Sequence, residues 1–166
     1  MVGVAGDAEN VVALVFVSGY VLEEGESARD LHARFPDAEA VPFFEYFPYP
    51  APDGTAHEEV FVAAEEFPLL AALGVPIDEA AVLAVTQRPL DAGVLTEPAP
   101  AAAWRGVPSW GIVAAQDRLI NPDAVRYAYQ RAGIRELVTV DGPHLLMHTH
   151  PAEVAAAILR VRDDFS

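Results

Sequence analysis

The chain has no cysteine and no lysine among its 166 residues. Without cysteine there are no thiolate nucleophiles, no cysteine-type zinc sites and no secreted disulfide framework, which points to a cytoplasmic protein. Without lysine, all ten basic residues are arginine, a bias that a GC-rich genome explains as well as any chemistry does. Basic charge is scarce altogether. Twenty-five acidic residues against ten basic ones give a formal net charge of −15, so a phosphate backbone or an anionic bilayer surface is repelled. No apolar run reaches the roughly 18 residues that suggest a bilayer span, and no basic segment precedes an apolar one at the N-terminus. Nucleic acid and membrane are therefore not expected partners, and a small-molecule substrate is.

A chain of this length fits a single domain, 1–166, with a real core. Val11–Val17, "VVALVFV", is a β-branched and aromatic run of the kind found in strands buried on both faces of a parallel sheet. Ser18-Gly19 ends it. Ser27 stands three residues before Asp30, the spacing of a helix N-cap, and Pro36 closes that short helix. From Ala40 to about Pro100 the composition shifts to many prolines, an aromatic cluster "PFFEYFPYP", a "PDG" turn and helical stretches around Glu58–Glu66 and Ile77–Thr86. So long a structureless loop is improbable, so the segment reads as a small, mainly helical cap inserted over about residues 20–103. Regular alternation then resumes: a strand over Pro108–Ala115, a helix over Asn121–Gly133, a strand over Arg135–Val140 and a helix from Pro151. Asn121 as N-cap, Pro122 at the first helical position and Gly133 beyond the end all agree on that first helix. The order predicts right-handed βαβ units and an α/β fold.

In a parallel sheet the loops at the carboxyl ends of the strands share one rim, where ligands and catalytic groups collect. Asp117 lies just past one strand and His144 just past the next. If these strands are neighbours, the carboxylate can orient the imidazole through a hydrogen bond, the acid–base half of a catalytic triad. Each residue also has a plainer reading, Asp117 as a turn cap and His144 as a polar loop residue. A second reading of "HLLMHTH" takes His144, His148 and His150 as metal ligands. No carboxylate stands at a compelling spacing and Pro151 starts a helix directly after His150, so no metal is expected. Phe43, Phe44, Tyr46, Phe47 and Tyr49 either line an apolar substrate pocket or form the cap's own core. The acidic stretches Glu23–Glu26 and Glu58–Glu66 read as solvated faces.

"PSWGIVAAQDRLINP" followed by "VDGPHLLMHTHP" resembles the C-terminal acid and histidine segments of α/β-hydrolases, small bacterial esterase-like members in particular. "VVALVFVSGYVLEEGESARDL" is similar to the family's sixth strand and the start of its cap, and "AVLAVTQRPL" to a cap helix. The resemblance implies ester or related carbonyl hydrolysis without metal or organic cofactor. Asp117 matches the family's acid, His144 its base, and Tyr20, Phe43, Phe44, Tyr46 and Leu145 are the candidate substrate-lining residues. The sequence departs from the family in having no G-x-S-x-G nucleophile elbow. "MVGVAGDAENV" resembles the helix that follows the elbow, so the expected fold is the C-terminal part of the domain, about three parallel strands with flanking helices and the cap. Ser109 starts its strand on the wrong rim, and Ser166 is terminal. Ser18 is on the right rim but in an F-x-S-x-Y context that does not read as an elbow. Alone, such a chain is expected to be weak or inactive. Its uncovered first strand is expected to pair with a second copy or with a complementing N-terminal half. The alternative is a non-catalytic binding or interaction module derived from the same fold.

Overall fold

The computed structural model describes residues 8–52 and 54–165. The helix expected within "MVGVAGDAENV" falls mostly on residues 1–7, which lie outside the described residues, as do Asp53 of the "PDG" turn and Ser166. Three parallel strands form the main sheet in the order β1-β5-β6: β1 is Leu14–Val17, β5 Ser109–Ala114 and β6 Glu136–Val140. All six residues of β5 are buried, as a central strand requires. Its side chains alternate between two layers. Val113 packs with Phe16 of β1 and with Val125, Ala128 and Tyr129 of helix α4 (Pro122–Arg131), while Ile112 and Ala114 pack with Val154 and Ala157 of helix α6 (Pro151–Asp163).

Gly111 is the fixed point of the α4 layer. A Cβ there would stand 2.5 Å from Cδ2 of the fully buried Tyr129, so only glycine lets this ring lie flat on the strand. The Tyr129 hydroxyl accepts the Gly19 N–H at 3.1 Å, and burial pushes its own titration well above the usual phenol range. Helix α4 begins as its sequence predicts, with the Asn121 side chain accepting the Asp123 N–H at 2.9 Å and Pro122 in the first turn; Gly133, at φ 66°, turns the chain away.

Between β1 and β5 lie helix α1 (Ala28–His32), β2 (Phe44–Pro50), β3 (Ala56–Val62), α2 (Phe67–Leu70), α3 (Ile77–Val85) and β4 (Leu90–Asp91). Ser27 and Asp30 close a reciprocal capping box at the start of α1. The expectation of a mainly helical cap is corrected, because this segment carries a three-stranded antiparallel sheet, β2-β3-β4, beside its helices. The helix expected over Glu58–Glu66 is largely strand β3. Its residues are good helix formers, but Val60 and Val62 alternate with Glu59 and Phe61, and the ladder to β2 satisfies their backbone groups. Helix α3 stands where the sequence placed it. The prolines of β2 have a positional reason. Ala63 N–H donates to Phe43 O and Ala51 N–H to Thr55 O, so odd-numbered residues face β3 and Pro48 and Pro50 face outward, where a missing donor costs nothing.

One acidic stretch does not read as it was expected to. Glu26 is 8% exposed and holds Arg131 of α4 in a two-pronged ion pair at 2.7 and 2.6 Å, which keeps its carboxyl below the usual carboxylate range. Glu23 supports the same arginine at 3.5 Å. This network ties the chain leaving β1 to α4, so these glutamates are not a solvated face. Among the described residues no helix is long and apolar enough to cross a membrane.

Candidate active site

The turns after β5 and β6 are joined by their own backbone. Ala115 N–H donates to Val140 O at 2.8 Å and Gln116 N–H to Gly142 O at 3.0 Å, while the Gln116 side chain donates to Asp141 Oδ1. On this base Asp117 uses both carboxylate oxygens. Oδ1 accepts the N–H groups of Leu119 (2.8 Å) and Ile120 (2.9 Å), and Oδ2 faces His144 Nδ1 at 2.7 Å. One oxygen of Asp117 thus caps its turn and the other meets the imidazole. A carboxylate only accepts, so Nδ1 is the donor, and in the neutral imidazole Nε2 of His144 carries the lone pair. Nε2 has no hydrogen-bond partner among the described residues. The Asp117 side chain is 1% exposed and that of His144 22%, so the pair is anchored in the core and presents one open nitrogen at the rim.

The three described serines are engaged elsewhere. Ser18 ends β1 with φ at 46°, a strained value for a residue with a Cβ, and its buried Oγ accepts the Ala114 N–H at 3.1 Å. The Ser27 hydroxyl belongs to the α1 capping box and that of Ser109 donates to Val107 O. The three clustered histidines serve three partners: His144 meets Asp117, His148 Nδ1 meets Glu79 at 2.8 Å, and His150 Nδ1 meets Thr149 at 2.8 Å. Among the described residues no group of three His, Asp or Glu side chains could hold a metal ion.

The residues singled out as substrate-lining occupy different settings. Tyr20 packs on the main core with its hydroxyl 2.7 Å from His32 Nε2; burial, helped by the charge of Asp117, pushes it up to about 12. Phe44 and Leu145 both pack against the cap cluster of Val62, Phe67, Leu70, Ala71 and Ala80. Phe43 and Tyr46 present exposed rings, as does Phe47, so most of the aromatic cluster is not the cap's core. Sequence reasoning missed Glu79, the partner of His148. Sixty-nine residues separate them, and nothing local marks either as one of a pair.

The solved structures with the same fold include a methylesterase from Arabidopsis (14% identity over 93% of this chain, TM-score 0.72), polyneuridine aldehyde esterase (13%, 93%, TM-score 0.78) and tomato methylketone synthase I complexed with 2-tridecanone (13%, 93%, TM-score 0.70). The present chain spans 60%, 63% and 62% of their respective lengths. No curated protein matches the sequence. The profile of the alpha/beta hydrolase family matches residues 1–157, and the chain belongs to that family.

Proposed function

We propose that this chain supplies the acid and the base of an ester hydrolase. Nε2 of His144 takes the proton of an attacking hydroxyl as its oxygen bonds to the acyl carbon, then returns that proton to the departing alcohol oxygen. Asp117 holds the imidazole in the required tautomer and balances the charge of the imidazolium. The observation that carries this reading is the 2.7 Å contact between His144 Nδ1 and an Asp117 carboxylate whose other oxygen is pinned by two backbone N–H groups. The substrate is a small ester or related carbonyl compound, received beside Tyr20 and Leu145 under the aromatic side chains of Phe43, Phe44 and Tyr46. No step in the scheme calls for a metal or organic cofactor.

The attacking serine belongs in this reading to a further segment of the same fold seated along β1. Leu14 N–H donates to Pro108 O just before β5 and Ser18 N–H to Ile112 O within it, so the N–H and C=O groups of Val15 and Val17 point to the side of the sheet that pairs with no strand among the described residues. The share of the related structures that this chain spans supports that assignment. The local engagement of Ser18, Ser27 and Ser109 favours a second reading, a binding module that retains the site without turnover.

Short-chain aryl esters test the proposal. The wild-type chain is expected to show slow hydrolysis that His144→Ala abolishes. Equal rates in the two proteins overturn the acid–base reading, and saturable ester binding without hydrolysis favours the binding module. Fast turnover lost in Ser18→Ala would move the nucleophile into this chain.

A further inference from the structure

The turn that carries His144 continues into helix α5, Leu146–Thr149, a single turn too short to hold its own direction in water. Its orientation is therefore set by what it touches. On the sheet side Leu146 is fully buried with Ile112, Val140 and Val154. Further contacts come from the cap. Leu145 N–H donates to Ala71 O at 3.2 Å, across 74 residues of chain, and the Leu145 side chain packs into the cluster built from α2 and α3. His148 meets Glu79 in the first turn of α3 at 2.8 Å, and Thr149 lies against Gly74. The Asp117 turn is held in the same way, because Ala40 N–H donates to Arg118 O at 3.0 Å and Leu119 packs against the same cap cluster.

We propose that Leu145, His148 and Glu79 are positioning residues: they fasten the His144 turn to the cap so that the imidazole faces Asp117. The cap is then part of the framework of the dyad and not a lid free to lift from it, at least at its α2–α3 corner. Leu145, one residue from His144, acts as an apolar peg. The His148–Glu79 pair is half-exposed and adds a smaller restraint that fixes the rotation of α5. The relevance to catalysis rests on the role proposed for His144, but the geometry can be read without it.

The measurement is exchange of the His144 Nδ1 proton with solvent by NMR, in the full chain, with the resonance assigned by its loss in His144→Gln. Leu145→Ala is expected to speed exchange on the order of tenfold or more, as a packed anchor is lost. Glu79→Gln and His148→Gln are each expected to speed it about two- to fivefold, the worth of a half-exposed polar pair. His148→Lys, which places a donor and a cation opposite Glu79, should restore most of the protection, and Val85→Ala on the exposed face of α3 should change nothing. Wild-type exchange in both Glu79→Gln and His148→Gln overturns the pair's role, and in Leu145→Ala that of the peg. If Leu145→Ala fails to fold, the two polar variants and the lysine rescue decide the matter. A protected proton in a chain whose ester hydrolysis His144→Ala leaves unchanged would sink the functional reading and leave the positioning intact.

Discussion

Among the described residues, two aspartate–histidine pairs share nearly the same local geometry, and one of them stands where chemistry is expected. Asp117 and His144 meet at 2.7 Å, Asp91 and His57 at 2.9 Å. In both, Oδ2 meets the imidazole Nδ1 while Oδ1 accepts backbone N–H groups, those of Leu119 and Ile120 in one case and that of Gly93 in the other. The settings differ. Asp117 is sealed beneath the rim of a parallel sheet, whereas Asp91 and His57 are 33% and 39% exposed in the cap, and Asp91 also accepts the Tyr49 hydroxyl at 2.7 Å. A hydrogen-bonded pair is thus not a site by itself. In the cap it clips a hairpin to its neighbouring strand. At the rim the same contact, with burial behind it and an open nitrogen ahead of it, becomes a candidate acid–base dyad.

Substitutions can break that contrast. The largest effect is expected from Asp117→Ala, which strands two backbone N–H groups and the imidazole; unfolding by urea should show a loss of about 3 kcal/mol, with all His144-dependent ester hydrolysis gone. Asp117→Asn sharpens the comparison by separating fold from chemistry. Its carbonyl can still receive the two amides, so stability should fall by about 1 kcal/mol. Its amide nitrogen, however, would face Nδ1 and favour the tautomer with the proton on Nε2, lowering hydrolysis by about two orders of magnitude or more. Asp91→Asn should lower the melting temperature less than either and leave hydrolysis unchanged. An effect on hydrolysis comparable with that of Asp117→Asn would erase the distinction.

The smallest effect is on acid stability. Hydrogen bonds from His57, then Tyr49 and Gly93, hold Asp91 at about 2, below its ordinary 3.8. A depressed carboxylate stabilises the folded state above its unfolded value, and that contribution is lost as pH falls through the folded one. Wild type and Asp91→Asn should therefore differ in melting temperature at pH 5 and converge as pH drops from about 4 to about 2. A constant difference over that range would contradict this account.

Much of the site was legible because its signals are local. Asn121-Pro122 and Gly133 bracket α4, Ser27 and Asp30 mark α1, and the positions of Asp117 and His144 just past two strands place them on one rim. The cap hairpin was missed because Glu58 to Glu66 has helical composition and the prolines of β2 argue against a strand. The signal that outweighed both was alternation on either side of the "PDG" turn, with Phe44 opposite Val62 and Tyr46 opposite Val60. Glu26 looked solvated because its partner Arg131 lies 105 residues away. No local pattern announces a long-range ion pair, and the same holds for Glu79 and His148.

The bond from Gln116 N–H to Gly142 O gives the rim a property that its side chains do not own. Such main-chain bonds join the two turns whatever stands at positions 117 and 144, and the Asp117 carboxylate braces its own turn in addition. For protein engineering this is a ready-made socket: other residue pairs could be tried at the two positions without rebuilding the sheet that presents them.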